Sequence, residues 1–283
     1  MKDYIELTKP RVTWLILLST AVGFYFGSHG AWDWMAALHT LLGTGLIASG
    51  TFALNQWYER DADRKMRRTA RRPLPQGRLT PNQALVWGAG LSVAGFLDLW
   101  LGANLLSGIL GAATLVSYLF LYTPLKQRTH LSTVVGAFPG AMPPVIGYAG
   151  AAGALTLEAW VLFTILFLWQ FPHFLAIAWM YRDDYARAGI VMLPVAYPDG
   201  EATARQIVLY SLALIPVSMV PSLLGMSGKV YFFGALALGL LYLYSGLRAA
   251  LERTILRARA VLIASIFYLP LIYGLMLLDR SRL

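Results

Sequence analysis

The sequence predicts an all-α, polytopic membrane protein with about nine spanning helices, and three observations predict it. Of its 283 residues, 58% are hydrophobic and 13% charged, whereas a soluble domain is about 45–50% apolar and about 25% charged. Mean hydropathy is +0.59, and apolar runs of roughly the 20 residues that cross a bilayer recur along the chain. Lysine and arginine gather on alternate connections between those runs. This composition excludes a wetted soluble protein, a disordered chain and a coiled coil. With no cysteine, it also excludes disulfide scaffolds, thiolate nucleophiles and thiolate metal sites.

The runs lie near 12–29, 34–54, 84–103, 105–122, 132–151, 157–178, 206–225, 230–250 and 259–278. The third and fourth are joined only by Gly102 to Asn104, and gaps such as His29–Asp33 and Gly150–Thr156 leave room for tight turns between antiparallel neighbours. No segment suits a separate soluble domain, so residues 1–283 read as one transmembrane domain. The opening Met-Lys-Asp-Tyr-Ile-Glu-Leu-Thr-Lys-Pro-Arg lacks a small-residue cleavage site behind a short apolar core, so the first span is expected to remain.

Charge orients the spans. Lys2, Lys9 and Arg11 precede the first; Arg60 to Arg78 follow the second; Lys126 and Arg128, then Arg182, Arg187 and Arg205, then Arg248 to Arg259 follow the fourth, sixth and eighth. The other side keeps Lys229 and the tail residues Arg280 and Arg282. Positive charge favours the cytoplasm, which places the N-terminus there and the C-terminus opposite. The bias accounts for most of the +9 net charge without nucleic acid as a partner.

Two cytoplasmic connections, 55–82 and 179–205, are too long and polar to be turns, and they carry the concentrated ionisable chemistry. At the first, Asn55, Glu59 and Asp63 recur every four residues and line one stripe of a helix. Three oxygen donors on a stripe suit a hard divalent cation, Mg²⁺ above all, whose shell a substrate phosphate completes; Asp61 points elsewhere. The plain alternative is a solvated helix end with arginine partners, but ionisable groups at a membrane exit are costly and usually functional. The following Arg67-Arg68-Thr69-Ala70-Arg71-Arg72 suits a diphosphate, which arginine grips bidentately, or equally anchors the chain on anionic lipid.

At the second connection, Asp183 and Asp184 are adjacent and cannot both face one way on a helix; Asp184 is the preferred metal ligand, its neighbour a cap or ion-pair partner. Pro124 is expected to stop the fourth span and leave Lys126 and Arg128 on a polar turn, where they contact an anion or anchor the topology. His173 and His130 read first as packing hydrogen bonders. Trp57, Tyr58, Tyr118, Tyr122, Trp169, Phe171, Phe174 and Trp179 form an interfacial belt or π-faces that shelter a carbocation without quenching it. A divalent-metal site, a diphosphate grip and an aromatic cavity together point to prenyl transfer onto a membrane-borne acceptor.

Asn55-xxx-Glu59-xxx-Asp63 resembles the first acidic motif, N-x-x-x-D-x-x-x-D, of the UbiA-type intramembrane prenyltransferase superfamily. Residues 55–75, 122–147 and 168–194, with LKQRTHLS and WQFPHFLAIAW in the last two, resemble its protohaem IX farnesyltransferase (haem O synthase) branch. The resemblance covers nearly the whole chain. It implies helices ringed around a central cavity, open sideways to lipid and capped by cytoplasmic loops, in the cell inner membrane. It implies farnesyl diphosphate as donor, haem b as acceptor and Mg²⁺ as cofactor, with water addition giving haem O for a downstream haem A synthase or terminal oxidase assembly. Asn55, Glu59, Asp63 and Asp184 would hold the metal and, with Lys126, serve catalysis. Arg67, Arg72, Arg128, Tyr122, His173, Trp169, Tyr181, Arg182, Asp183 and Arg187 would contact the substrates, His173 through haem iron or a propionate. One departure stands out: the superfamily's second motif carries three spaced aspartates, and here Tyr181 and Tyr185 flank only Asp183 and Asp184.

Two rivals remain. A quinone- or chlorin-prenylating relative shares the donor chemistry, and the acceptor-side stretches decide between them. A haem or ion-coupled transporter would place charges near the bilayer midplane, whereas here they gather at one surface.

Overall fold

The computed structural model describes residues 1–280, so Arg282, expected on the outer tail, lies outside the described residues. These are helical almost throughout: α1 (Lys2–Leu7), α2 (Pro10–Gly27), α3 (Trp34–Lys65), α4 (Pro81–Gly102), α5 (Leu105–Val116) running through a π-turn (Ser117–Tyr122) into α6 (Thr123–Leu125), α7 (Ser132–Ala141), α8 (Pro143–Ala152), α9 (Leu157–Met180), α10 (Arg182–Arg187), α11 (Leu193–Ala196), α12 (Glu201–Leu223), α13 (Lys229–Glu252) and α14 (Ile255–Leu278). Among the described residues, seven helical stretches are long and apolar enough to span a membrane. The other two expected spans are formed differently: 12–29 as the eighteen-residue α2, and 132–151 as two ten-residue helices, α7 and α8, meeting at Met142. The chain is an integral, multi-pass membrane protein.

Small residues set the closest packing. A Cβ on Gly147 of α8 would stand 1.9 Å from the Thr20 carbonyl oxygen of α2, and one on Gly23 of α2 equally close to that of Pro144. The two backbones therefore touch, the usual way for helices to associate where lipid removes a hydrophobic drive. α9 is the most enclosed span, 56% of its apolar window buried, and it packs against α7, α8, α12 and α14. Outward faces carry large apolar side chains such as Trp14, Phe120, Phe233 and Phe267, as lipid contact requires.

α3 runs beyond its apolar stretch to Lys65, keeping the acidic stripe on one rigid rod as its four-residue spacing implies. Two features depart from expectation. A π-turn precedes Pro124, the Thr123 N–H bonding back to the Tyr118 carbonyl, a widened turn that relieves the clash proline causes in regular α-helix; the helix then ends at Leu125, leaving Lys126 and Arg128 on the expected turn. The long loop at 66–80 is packed rather than solvated, with Leu74 and Leu79 buried beside Leu7 of α1 and Ala53 and Ala84. Arg78 of this loop pairs with Asp3 and, at 3.0 Å, with Glu6, so the N-terminal segment and the arginine-rich loop share one end of the molecule. A capping box between Thr80 and Gln83 then starts α4.

Candidate active site

A central cavity of about 550 Å³ runs inward from that basic end, walled by α2, α3, the π-turn, α7, α8, α9 and α14. Of the residues expected to act, Asn55, Glu59, Asp63, Arg72, Tyr122, Lys126, Trp169 and His173 line it. Its deeper wall is apolar, with Leu15, Ile16, Ile146, Leu166, Ile266 and Leu269 among the lining side chains.

The α3 stripe forms the charged mouth. Asn55 and Asp63 are each only 1% exposed, held there because α3 stays helical beyond the apolar run. Lys126 Nζ stands 2.8 Å from Glu59 Oε1 and 4.3 Å from the centre of the Tyr122 ring. Burial works against the charge on Lys126, but Glu59, helped by the Tyr122 and Tyr118 hydroxyl groups, outweighs it and holds its pKa well above the usual lysine range. Arg72 Nη1 donates to Asp63 Oδ2 at 2.7 Å, and Asn55 Nδ2 donates to Thr123 Oγ1 at 3.3 Å. Asp63 Oδ1 is buried without a hydrogen-bond partner. An orphaned carboxylate oxygen beside a carboxylate and an amide oxygen is a donor set that fits a hard cation. Among the described residues no three His, Cys, Asp or Glu groups already stand as a metal cluster; Glu59 and Asp63 are each engaged by a cationic side chain instead.

A third cation, Lys9, enters the same mouth. It holds a left-handed backbone (φ 48°, ψ 61°) at the start of α2, a conformation a non-glycine residue keeps only where surroundings over-determine it. Its ammonium lies 4.8 Å from the centre of the Phe52 ring. Burial, reinforced by Arg72 and Lys126, lowers its pKa to about 7.

The second acidic cluster meets the first through the loop between them. Asp184 is buried on α10; its Oδ2 accepts the main-chain N–H of Arg68 at 3.2 Å, and its Oδ1 takes the Arg187 guanidinium. Arg68 Nη2 donates to Tyr185 OH at 3.1 Å, its guanidinium carbon 5.2 Å from the centre of the Tyr181 ring. Thr69 Oγ1 donates to the Asp63 carbonyl at 2.9 Å. Residues 68–72 thus span from Asp184 to Asp63.

Not every expected residue reaches the cavity. Asp184 does not line it, and joins no three-acid cluster with Glu59 and Asp63. Asp183 is solvated, its side chain 84% exposed and 3.6 Å from Arg182. Arg67, Arg128, Tyr181, Arg182 and Arg187 also lie off the wall, Arg182 donating to the Pro198 carbonyl at 3.3 Å. His130 packs edge-on against Tyr197 instead. Of the aromatics, Tyr118, Tyr122, Trp169 and Phe174 line the cavity, while Trp57, Tyr58, Phe171 and Trp179 do not. Lys9 and Gln170 line it without having been singled out as site residues, while Arg68 and Thr69 do so from the run expected to grip a diphosphate and Tyr185 from beside Asp184. For Lys9 the available signal was a basic residue against Pro10 at a membrane entry; for Gln170, an amide in an apolar span, here donating to the Ala137 carbonyl at 2.9 Å.

The chain is similar to known proteins along its whole length. The protoheme IX farnesyltransferase of Solibacter usitatus is 68% identical over 292 residues, covering all of both chains. That of Koribacter versatilis is 45% identical, covering 99% of this chain and 94% of its own. Among solved structures, one described as digeranylgeranylglyceryl phosphate synthase superimposes with a TM-score of 0.81 at 18% identity, covering 98% of this chain and 97% of its own. A UbiA homolog from Archaeoglobus fulgidus bound to DMAPP and Mg²⁺ gives 0.72 at 18% identity, covering 97% and 99%; at such identity these two show the fold. The UbiA prenyltransferase family model matches residues 16–274: the chain is a prenyltransferase and belongs to the UbiA prenyltransferase family.

Proposed function

We propose that this chain transfers the farnesyl group of farnesyl diphosphate to a vinyl group of haem b, with addition of water, releasing diphosphate and giving haem O. The observation that carries the reading is the cavity itself: four basic side chains, Lys9, Arg68, Arg72 and Lys126, line it with Glu59 and Asp63, above a large apolar chamber. Whole-length likeness to relatives named protoheme IX farnesyltransferase supports haem as acceptor.

In this reading Arg72, Lys126 and Lys9 bind the diphosphate, with Arg68 closing over it on the main-chain bond to Asp184. Asn55, Glu59 and Asp63 would hold Mg²⁺ on the first side and Asp184 on the second, and the ion would neutralise charge on the departing diphosphate. Cleavage of the C1–O bond sends its electron pair to the diphosphate. The vinyl π-electrons form the new bond to C1, the resulting cation on the porphyrin side takes water, and one proton is lost. Tyr118, Tyr122 and Trp169 face the allylic cation with ring electrons and offer no basic nucleophile to end it early. Arg67, Arg128, Arg182 and Arg187, which lie off the cavity wall, would receive the haem propionates, with Tyr181 and Asp183 beside them contacting substrate or product. One domain over 1–283 does this work in the inner membrane, N-terminus cytoplasmic and C-terminus opposite, supplying haem A synthesis or oxidase assembly.

The test is extraction of haem by solvent from membranes expressing the chain, followed by mass measurement. A haem carrying farnesyl plus water is expected; haem b alone, with a prenylated quinone precursor or chlorin, would transfer the assignment to that acceptor.

A further inference from the structure

Ser265 of α14 is fully buried and ties down two cavity-lining rings of α9. Its carbonyl accepts the Trp169 Nε1–H at 2.9 Å, and its hydroxyl lies 2.7 Å from His173 Nδ1. The same hydroxyl stands 2.6 Å from the Leu262 carbonyl, which can only accept. A serine hydroxyl has one proton, and here it goes to Leu262. The proton in the Ser265–His173 bond is therefore the one on Nδ1. Nε2 is left with a bare lone pair, and no hydrogen bond from the described residues engages it. Trp169 stacks on the imidazole, ring centres 4.9 Å apart and planes 24° apart, which fixes the ring's attitude.

We infer that Ser265 is a positioning residue that holds His173 as the neutral Nδ1–H tautomer, leaving Nε2 to bind the haem iron axially. The inference deepens the proposed function and rests on its haem acceptor. Metal-binding histidines commonly donate their second ring N–H to a fixed acceptor, which sets the tautomer and raises the basicity of the ligating nitrogen. The neighbouring wall of Phe174, Ile266, Leu269 and Pro270 suits the flat apolar face of a porphyrin. His173 lies about 10 Å along α9 from the helix end at Met180, so ligation seats the macrocycle beneath the charged mouth, where the allylic carbon is released.

The test is titration of ferric haem b into the detergent-purified chain, followed by absorption and electron paramagnetic resonance, with turnover measured in parallel. Wild type is expected to show an imidazole-ligated iron signature that His173→Ala loses and added imidazole restores. Ser265→Ala weakens haem affinity at least about tenfold, the usual effect of removing a partner of a metal-binding histidine, and Ser265→Thr recovers it. An unchanged iron spectrum in His173→Ala, with farnesylated haem still formed by wild type, overturns the inference and leaves the proposed function standing. Failure of wild type both to bind and to modify haem overturns both. Loss of affinity in Ser265→Ala that Ser265→Thr does not recover, with an unchanged wild-type-like iron spectrum, also overturns the tautomer assignment.

Discussion

Asp184 accepts the main-chain N–H of Arg68 at 3.2 Å although the two lie 116 positions apart. Four residues on from Arg68, Arg72 grips Asp63. One short stretch of loop therefore ties the acidic end of α3 to the acidic helix after α9. A guest at this mouth meets both clusters through the same five residues.

Asp184 and Asp183 are neighbours with opposite surroundings, and the account separates them. Asp184→Ala frees the Arg68 main chain and leaves Arg187 without its partner; prenyl transfer falls at least about tenfold, the scale of lost supporting contacts at a metal site. Asp183→Ala, in a solvated side chain, keeps activity within about twofold, since exposed pairs contribute little. Turnover of the two variants with labelled farnesyl diphosphate checks the order.

Arg72→Ala strands the Asp63 carboxylate, 1% exposed, without its counter-charge. Removing one partner of a buried pair costs about 3 kcal/mol, here at the lower end because the Arg72 side chain is 23% exposed. The double variant Asp63→Asn/Arg72→Ala recovers part of the lost stability although both are inactive. Thermal unfolding in detergent should give Tm in the order wild type, double variant, Arg72→Ala.

Lys9 titrates near pH 7 because burial and its cationic neighbours disfavour its charge. Between about pH 7 and the unfolded lysine value of about 10.4, the unfolded chain holds a proton the folded chain lacks. Stability therefore rises with pH through that window and gains nothing from Lys9 below it. A bound diphosphate reverses the disfavour, so at pH 8 its binding draws a proton onto Lys9. Calorimetric titration with inorganic pyrophosphate in buffers of different ionisation enthalpy should show that uptake in wild type, and less of it in Lys9→Met. Equal uptake in both would assign the proton elsewhere.

Packing of α2 on α8 leaves no room at Gly147, where an added Cβ would meet the Thr20 carbonyl at 1.9 Å. Gly147→Val should abolish a monodisperse folded species on size exclusion. Gly274→Ala, whose Cβ meets nothing within 4 Å, should change stability by no more than about 0.5 kcal/mol.

The spans were legible because a run of about 20 apolar residues has few alternatives in a bilayer, and the α3 stripe because a four-residue spacing survives on a helix wherever it ends. The π-turn ahead of Pro124 was not, since it leaves no mark in residue pattern. Nor was the link from Arg68 to Asp184, which a main-chain N–H makes and which any residue but proline could supply. Lys9 was legible as a charge but not as a cavity residue, because its burial depends on α2 closing against Phe52 and the mouth. Adjacent Asp183 and Asp184 could be separated only once α10 turned one inward.

The most direct measurement is product analysis with the purified chain, Mg²⁺ and labelled farnesyl diphosphate, offered haem b, a quinone precursor and a chlorin in competition. The account predicts label in haem, one diphosphate released per haem modified, and loss of both in Asp63→Ala at unchanged folded yield. Label in another acceptor, or undiminished transfer by Asp63→Ala, would contradict it.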